Sequence, residues 1–429
     1  MIMMQYLSII FTIVITSLYF FPIDVVTGVN TKMIIAACGL LVFMIQLAQK
    51  KIFFEKDYLF ITLFAGIVSL CGVISMWYND TADTAYATYI VSMWVWLGGA
   101  YFVIKLINLI HGENSVLLLC NYLIAVCVFQ CVLALSIDLN PLIKSFVDSI
   151  YPAGTYYAEH ERLYGIGAAL DVTGSRFSAV LVMITFLGLV YGKGLAKKWL
   201  AFYVLSFLII AIIGNMLSRT TTVGAILSLA YLLFVTFYGR EKDERKSKQR
   251  LWKWMFVIIL LGLPVIVHYY RFNSIINENI RFAFEGFFSL VEEGKWEVHS
   301  NDMLQNMYIF PENVKTWIIG DGYFDNPKLT DPYYTGEMRT AYYMGTDVGY
   351  LRFIFYFGCL GLIAFICFFC RVAKVCMKRF VEFKYMFILF LFVNFIVWFK
   401  VATDIFLVFA LFLCVTEKQQ SEESFLEIS

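Results

Sequence analysis

The sequence has 429 residues, of which 61% are hydrophobic, 18% are aromatic and 15% are charged, and its formal net charge is +1. Soluble domains carry about a quarter charged residues, so this composition excludes an ordinary soluble protein. It predicts an integral membrane protein with many spans, for which we expect no nucleic-acid partner.

Apolar runs of roughly 15 to 23 residues recur along the chain and predict about twelve transmembrane helices, because a span needs about 20 residues to cross the hydrocarbon core. The first run, from Met4 to Phe21, has no basic residue before it and no small-residue cleavage site after it, so we interpret it as a span rather than a secretory signal. We expect five spans in residues 1–137, four in 177–269 and three in 347–416. The last two are short and separated only by the letters KVATD, so a re-entrant pair is an alternative there.

Basic residues are concentrated in alternate connections, and this asymmetry predicts the orientation of the chain. With the N-terminus inside, most of the 33 lysine and arginine residues fall in the inner segments, the richest of which is REKDERKSKQRLWK at 240–253. Cytoplasmic loops carry an excess of lysine and arginine. We therefore expect both termini, including the tail at 417–429, in the cytoplasm, and a short SR turn near 218–222 on the outer side.

Two long connections face outward in this topology, at 138–176 and 270–346. Loops this long are usually functional or disordered, and their aromatic residues favour order because such side chains are costly to leave in water. The simplest role of these rings is packing on the bundle or at the membrane interface. Stacking against sugars is the more specific alternative. Our candidates for glycan contact are Tyr164 in the first loop and Tyr343 in the second.

Arginine recurs near the expected outer boundary of the membrane, where the positive-inside tendency gives no reason for a cation. The five residues are Arg162, Arg176, Arg219, Arg339 and Arg352. A guanidinium presents a planar fork of donors that binds phosphate oxygens bidentately, so several arginines around one cavity could hold a pyrophosphate without a metal. For Arg219 alone, the alternative is a snorkelling side chain that pairs with lipid headgroups or a neighbouring carboxylate.

Asp347 opens the predicted tenth span in GTDVGYLRF, close to the outer boundary. Partial desolvation of a carboxylate raises its pKa toward that of a usable base, so Asp347 and Arg219 are our candidate catalytic residues. The alternative for this position is an N-cap, in which Thr346 or Asp347 accepts hydrogen bonds from the free amides of the helix. A cap and a base are compatible roles.

The cysteines and histidines argue against other chemistries. All ten cysteines lie in predicted spans or on the inner side, which excludes a disulfide framework in the outer loops. The four histidines lack metal-ligand spacing, and the chain has no GxxxxGK[ST] phosphate loop. We therefore predict no metal, no other cofactor and no ATP hydrolysis, so that any energy must arrive with the substrate.

The layout resembles the O-antigen polymerases and ligases, bacterial enzymes that handle undecaprenyl-pyrophosphate-linked glycans. The resemblance covers roughly residues 138–364: RLYG leading to TGSRFSA in the first outer loop, a short SR turn between two spans, a large outer loop, and a polar residue followed four positions later by leucine and a glycine-containing helix. It implies an all-α integral membrane protein of about twelve helices, a GT-C-like helical bundle, in the bacterial cytoplasmic (inner) membrane.

The resemblance also implies roles for single residues. Arg219 matches the arginine of the SR turn, which is thought to bind the lipid-linked pyrophosphate, and Arg176 and Arg162 match basic positions in or beside the first outer loop. Asp347 with Leu351 is similar to the ligase pattern of a histidine followed four residues later by leucine, in which the histidine is the proposed base. Aspartate replaces histidine here, and this departure favours the polymerase branch.

The implied function is that of a glycosyltransferase, a polysaccharide polymerase that joins undecaprenyl-pyrophosphate-linked repeat units of O-antigen, capsule or exopolysaccharide at the outer face of the membrane. The implied partners are the lipid-linked donor and acceptor, the lipid bilayer, a chain-length regulator and a flippase. Three alternatives stay open. They are an O-antigen ligase that transfers polymer to an acceptor, a flippase or transporter for lipid-linked oligosaccharides, and a non-catalytic partner of an envelope assembly machine.

Overall fold

The computed structural model describes residues 2–51, 55–152, 154, 162–192, 196–238, 242–327 and 342–416. About 78% of it is helical, and the strand pair in the described residues is a short hairpin of β1 (Asp24–Val26) and β2 (Val29–Asn30). The predicted all-helical membrane protein is therefore confirmed. The helices are α1 (Ile2–Phe20), α2 (Thr31–Ala48), α3 (Lys56–Asn79), α4 (Tyr89–His111), α5 (Val116–Leu139), α6 (Pro141–Ile150), α7 (Leu170–Val190), α8 (Lys197–Leu217), α9 (Thr221–Tyr238), α10 (Lys242–Phe272), α11 (Ser274–Ala283), α12 (Glu285–Glu292), α13 (His299–Gln305), α14 (Val314–Ile319), α15 (Gly349–Arg379), α16 (Lys384–Val397) and α17 (Phe406–Cys414).

Ten helices of the described chain are long and apolar enough to cross a membrane, namely α1 to α5, α7 to α10 and α15. The expected eleventh and twelfth spans correspond to α16 and α17, which have 14 and 9 residues. At 1.5 Å per residue α16 is about 21 Å long, less than the hydrocarbon core of about 30 Å. The count of about twelve spans, and the re-entrant alternative for the last two helices, stay predictions.

Helix α7 lies at the centre of the bundle, with 89% of its span buried, whereas the apolar part of α10 is only 6% buried. Small residues let α9 approach α7 closely. A Cβ atom on Gly224 of α9 would come within 2.2 Å of the Cα atom of Ser178 on α7. Ser178 Oγ accepts a hydrogen bond from Gly224 N at 3.0 Å and donates one to Thr220 O at 2.9 Å. Contacts of this kind are typical of membrane helix pairs, and they place the starts of α7 and α9 side by side.

Helix α15 is broken near its middle, where Phe357 and Gly358 leave helical geometry and Gly358 adopts a φ of +67°. The loop after α14 packs into this break. Asp321 N donates to Phe355 O at 2.6 Å, and Gly322 N donates to Tyr356 O at 3.1 Å. A Cβ atom on Gly358 would lie 2.1 Å from Ile318 O, so glycine is required both for the positive φ and for the close approach. The break ties the long loop before α15 to the bundle.

The segment between α16 and α17 docks against the start of α15. Tyr350 N donates to Trp398 O at 3.1 Å, and a Cβ atom on Gly349 would lie 2.7 Å from Val401 O. Trp398 is buried and donates from Nε1 to Thr403 O at 2.7 Å. The turn that joins the two short helices is therefore held beside the first residues of α15.

Candidate functional site

A cleft of about 160 Å³ opens at the end of the helical bundle where α7, α9 and α15 begin. Its apolar lining includes Met303, Leu304 and Met307 from the region of α13. Among the described residues, its charged lining consists of Arg162, Asp171, Arg219, Asp347 and Lys400. Three of these five, Arg162, Arg219 and Asp347, are residues that the sequence singled out as candidates.

Three long helices start at this cleft. The first residues of α7 line it, and so do Arg219, two residues before α9, and Asp347, two residues before α15. The free amides of a helix N-terminus carry a partial positive charge. Within the described residues, the N-caps Ala169 of α7 and Val348 of α15 make no side-chain capping bond. The described lining of the cleft therefore combines positive helix ends with three cationic and two acidic side chains, and this excess of positive charge favours an anionic ligand.

The expected cap at the start of α15 is not formed by Asp347. The N-cap residue is Val348, and Thr346 Oγ1 accepts a hydrogen bond from Val348 N at 3.3 Å. Of the two residues expected to accept a hydrogen bond here, Thr346 therefore does so.

Arg219 is held in place by contacts on several sides. Nε donates to Phe282 O at 3.0 Å, Nη1 donates to Ser300 Oγ at 2.9 Å, and Nη2 lies 2.6 Å from Glu285 Oε2. The guanidinium also stacks on the ring of Phe282 at 4.1 Å. Burial lowers the pKa of Arg219, and the charge of Glu285 opposes this effect. Of the two interpretations of Arg219, pairing with a neighbouring carboxylate is observed, and the same side chain lines the cleft.

Arg162 extends this surface. Its guanidinium lies over the same Phe282 ring at 4.7 Å. Arg162 and Arg219 also line a wider groove of about 580 Å³ beside the cleft. Phe288 and Glu292 of α12 contribute to the groove, so one surface continues from the two arginines toward the long loop.

Asp347 is mostly buried and incompletely paired. Its Oδ1 atom lies 3.6 Å from Nη1 of Arg352, and no donor among the described residues hydrogen-bonds to that oxygen. Burial raises the pKa of Asp347 from 3.8 to about 7; the charge of Arg352 opposes the shift, and the charge of Asp171 adds to it. A carboxyl group with this pKa exchanges a proton near neutral pH.

Sequence reasoning missed Asp171 and Lys400. Asp171 Oδ1 accepts hydrogen bonds from Ser218 Oγ at 3.0 Å, from Thr220 Oγ1 and from Lys400 Nζ at 2.9 Å. The rule that drew attention to Arg219, a cation on the expected outer side, applies equally to Lys400 in KVATD and would have found it. In the described part of the chain, no three His, Cys, Asp or Glu side chains group closely enough to hold a metal ion.

Two further predicted arginines lie outside the cleft lining. Arg176 is buried in α7 and donates from Nη1 to Phe20 O. Arg352 is buried beneath Asp347, where Nη2 lies 2.7 Å from Asp325 Oδ1 and the guanidinium lies 3.6 Å from the centre of the Phe324 ring. Arg352 thus reaches the cleft only through Asp347. Arg339 lies outside the described residues.

The two candidate sugar-stacking tyrosines pack within the protein. Tyr164 is buried and donates to Asp148 Oδ1 at 2.6 Å. Tyr343 donates to Asp321 Oδ2 at 3.4 Å, and its ring centre lies 5.3 Å from that of Tyr323. Neither side chain lines the cleft, so their contacts correspond to the packing alternative.

Comparison with known proteins adds no family assignment. No family model, curated protein or solved structure matches this chain. The resemblance to O-antigen polymerases and ligases therefore rests on sequence patterns alone.

Proposed function

We propose that this protein is a membrane glycosyltransferase, a polysaccharide polymerase that joins oligosaccharide repeat units carried on undecaprenyl pyrophosphate. The observation that carries the proposal is the cleft, which brings Arg162, Arg219 and Asp347 to one cavity. These residues are distant in the sequence, and each is of a type that binds phosphate or accepts a proton. Their convergence supports an anion site next to a proton acceptor.

The cationic side of the cleft suits the diphosphate of the lipid-linked donor. Guanidinium groups bind phosphate oxygens through paired donors, and helix N-termini stabilise phosphate through their amides. Arg219 and Arg162 both stack on Phe282, which limits the rotation of their planes. The donors are therefore oriented before the substrate arrives, and the cost of ordering them on binding is reduced.

Asp347 supplies the proton acceptor of the proposed reaction. A hydroxyl oxygen of the acceptor sugar attacks the anomeric carbon of the donor sugar, and the bond from that carbon to the phosphate oxygen breaks. The bonding electron pair leaves with the lipid diphosphate, and the hydroxyl proton passes to Asp347. Arg162 and Arg219 neutralise the negative charge of the leaving diphosphate, which contributes most in the transition state. A pKa of about 7 suits Asp347 to this transfer near neutral pH.

The groove beside the cleft is assigned to the glycan. Its lining includes Glu293 and Glu297, whose carboxylate oxygens can accept hydrogen bonds from sugar hydroxyls, whereas Glu292 is paired with Arg281. We place the reaction at the outer face of the bacterial cytoplasmic membrane, because the connections at the opposite end of the bundle are rich in lysine and arginine. A flippase and a chain-length regulator are the expected protein partners.

The test is the glycan length distribution in a strain that lacks the gene and is complemented with variants. We expect single repeats on their normal acceptor, without a ladder, in the deletion strain and with Arg219→Ala. Loss of one preorganised donor costs on the order of 10² to 10³ in rate. The matched control is Arg371→Ala, because Arg371 pairs with Asp57 at 2.8 Å at the opposite end of the bundle. This variant should retain the ladder at equal membrane abundance.

Other results would contradict the proposal. Full-length polymer that stays on undecaprenyl in the deletion strain would indicate a ligase. Lipid-linked single repeats trapped on the inner leaflet would indicate a flippase. An unchanged ladder with Arg219→Ala would remove the cleft from the reaction.

A further inference from the structure

Lys400 is a charged residue of the cleft to which the proposed reaction assigns no role. It lies in the turn between α16 and α17, whose backbone is fixed against the start of α15 by the bond from Tyr350 N to Trp398 O. Its side chain extends from this fixed turn into the cleft and is 32% exposed. The backbone next to Lys400 is therefore fixed at the start of α15, and its partly exposed side chain lines the same cavity as Asp347.

The partner of Lys400 in the structure is a carboxylate that also has other donors. Lys400 Nζ lies 2.9 Å from Asp171 Oδ1, and the same oxygen accepts from the hydroxyl groups of Ser218 and Thr220. Ser218 and Thr220 flank Arg219, so Asp171 connects the turn that carries Arg219 with the turn that carries Lys400. If Lys400 turned away, Asp171 would keep both hydroxyl donors and would not become a buried charge without partners.

We propose that Lys400 is a third cation of the diphosphate site, and that its ammonium group moves from Asp171 to a phosphate oxygen when the lipid-linked donor binds. This inference rests on the proposed function and names a binding residue for it. A lysine suits the task because its ammonium is a compact charge on a flexible stem of four carbons. Arg219 differs, since Phe282, Ser300 and Glu285 fix its guanidinium.

The charges of the ligand and of the cleft favour this movement of Lys400. A diphosphate joined to a lipid and a sugar carries two negative charges, and part of the charge of Arg219 is already balanced by Glu285 at 2.6 Å. In the described part of the chain, Lys400 and Arg162 are the other cations that line the cavity. Because Asp171 retains the hydroxyl donors of Ser218 and Thr220, Lys400 can bind the ligand without leaving Asp171 unpaired.

The experiment measures binding of inorganic pyrophosphate to the purified full-length protein in lipid nanodiscs by titration calorimetry. Lys400→Met removes the charge at similar length, and Lys400→Arg retains it. Hydrogen bonds to charged groups contribute enough that we expect Lys400→Met to weaken binding about 10- to 100-fold, with substantial recovery in Lys400→Arg. The control is Lys144→Met, because Lys144 pairs with Asp148 at 3.3 Å on α6 and does not line the cleft. Its Kd should equal that of the wild type.

The outcomes separate this inference from the function on which it rests. If Lys400→Met lowers the Tm but leaves the Kd unchanged, while Arg219→Ala abolishes binding, Lys400 only braces Asp171 and the inference is wrong, although the anion cleft stands. If the wild-type protein does not bind pyrophosphate, both the cleft assignment and the role of Lys400 are overturned.

Discussion

Burial of the Asp347 carboxylate makes it a stronger base and lowers the stability of the folded protein at high pH. Burial raises its pKa from 3.8 to about 7, so the folded protein binds a proton at this position more tightly than the unfolded chain does. Stability that depends on this proton is present at low pH and is lost as the pH rises from 3.8 through about 7. Above that range the fold has to hold an ionised carboxylate that is largely removed from water.

This linkage predicts that Asp347→Asn stabilises the protein, and that it does so more at pH 8 than at pH 5. Asparagine has nearly the shape of aspartate but cannot ionise, so the variant avoids the cost that the wild type incurs at high pH. The measurement is the Tm of the purified protein in detergent at both pH values. A Tm that falls, or a change that is equal at the two pH values, would show that burial does not govern the ionisation of Asp347.

Arg176 and Asp171 show why residue chemistry alone did not identify every charged residue of the cleft. Both belong to α7, but five residues along a helix correspond to about 7.5 Å of rise and a rotation of about 140°. Asp171 lies in the first turn and faces the cleft, whereas Arg176 lies deeper and bonds to the carbonyl of Phe20. The span was predicted from residue 177, whereas α7 begins at Leu170, because the exact start and the rotation of a helix depend on neighbours that hydropathy does not reveal.

At the scale of elements, the contact between α7 and α9 positions the cleft. We predict that Gly224→Ala destabilises the protein, because its Cβ atom would lie 2.2 Å from Ser178 Cα and would force the helices apart. Alanine favours helix over glycine by about 1 kcal/mol, and overpacking of this severity outweighs that gain. Gly262→Ala in α10 is the matched control, since nothing lies within 4 Å of its added Cβ atom.

The check is thermal unfolding and size-exclusion behaviour of both glycine variants in the same detergent. Gly224→Ala should lower the Tm and the monodisperse fraction, whereas Gly262→Ala should preserve the monodisperse fraction and keep or raise the Tm. Equal Tm values for the two variants would mean that α7 and α9 can separate without cost.

The long spans were predictable because each is a continuous apolar run whose length matches the bilayer. The short helices of the long loop, such as α12 with Glu285 at its start, were not predicted. A helix of eight residues is marginal on its own and depends on tertiary contacts, in this case the pairing of Glu285 with Arg219 and the packing of Gly286 against Trp296.

At the scale of the whole molecule, the cleft joins parts of the chain that are far apart in the sequence. Lys400 and Asp171 are separated by 229 positions, and no local pattern encodes their contact. The sequence did identify Arg162, Arg219 and Asp347, because charged residues near the membrane are costly and usually have a partner or a function. Which of the selected charges share one cavity follows only from how α7, α9, α15 and the turn after α16 pack together.

The most direct test of the central claim is the rate of polymer formation as a function of pH, with purified protein and lipid-linked repeat units in liposomes. If Asp347 accepts the proton, the wild-type rate falls about tenfold for each pH unit below its pKa of about 7. Asp347→Asn should be at least about 10²-fold slower, and its rate should not show this fall at low pH. If Asp347→Asn polymerises at the wild-type rate, or if its rate falls at low pH as the wild-type rate does, Asp347 is not the proton acceptor.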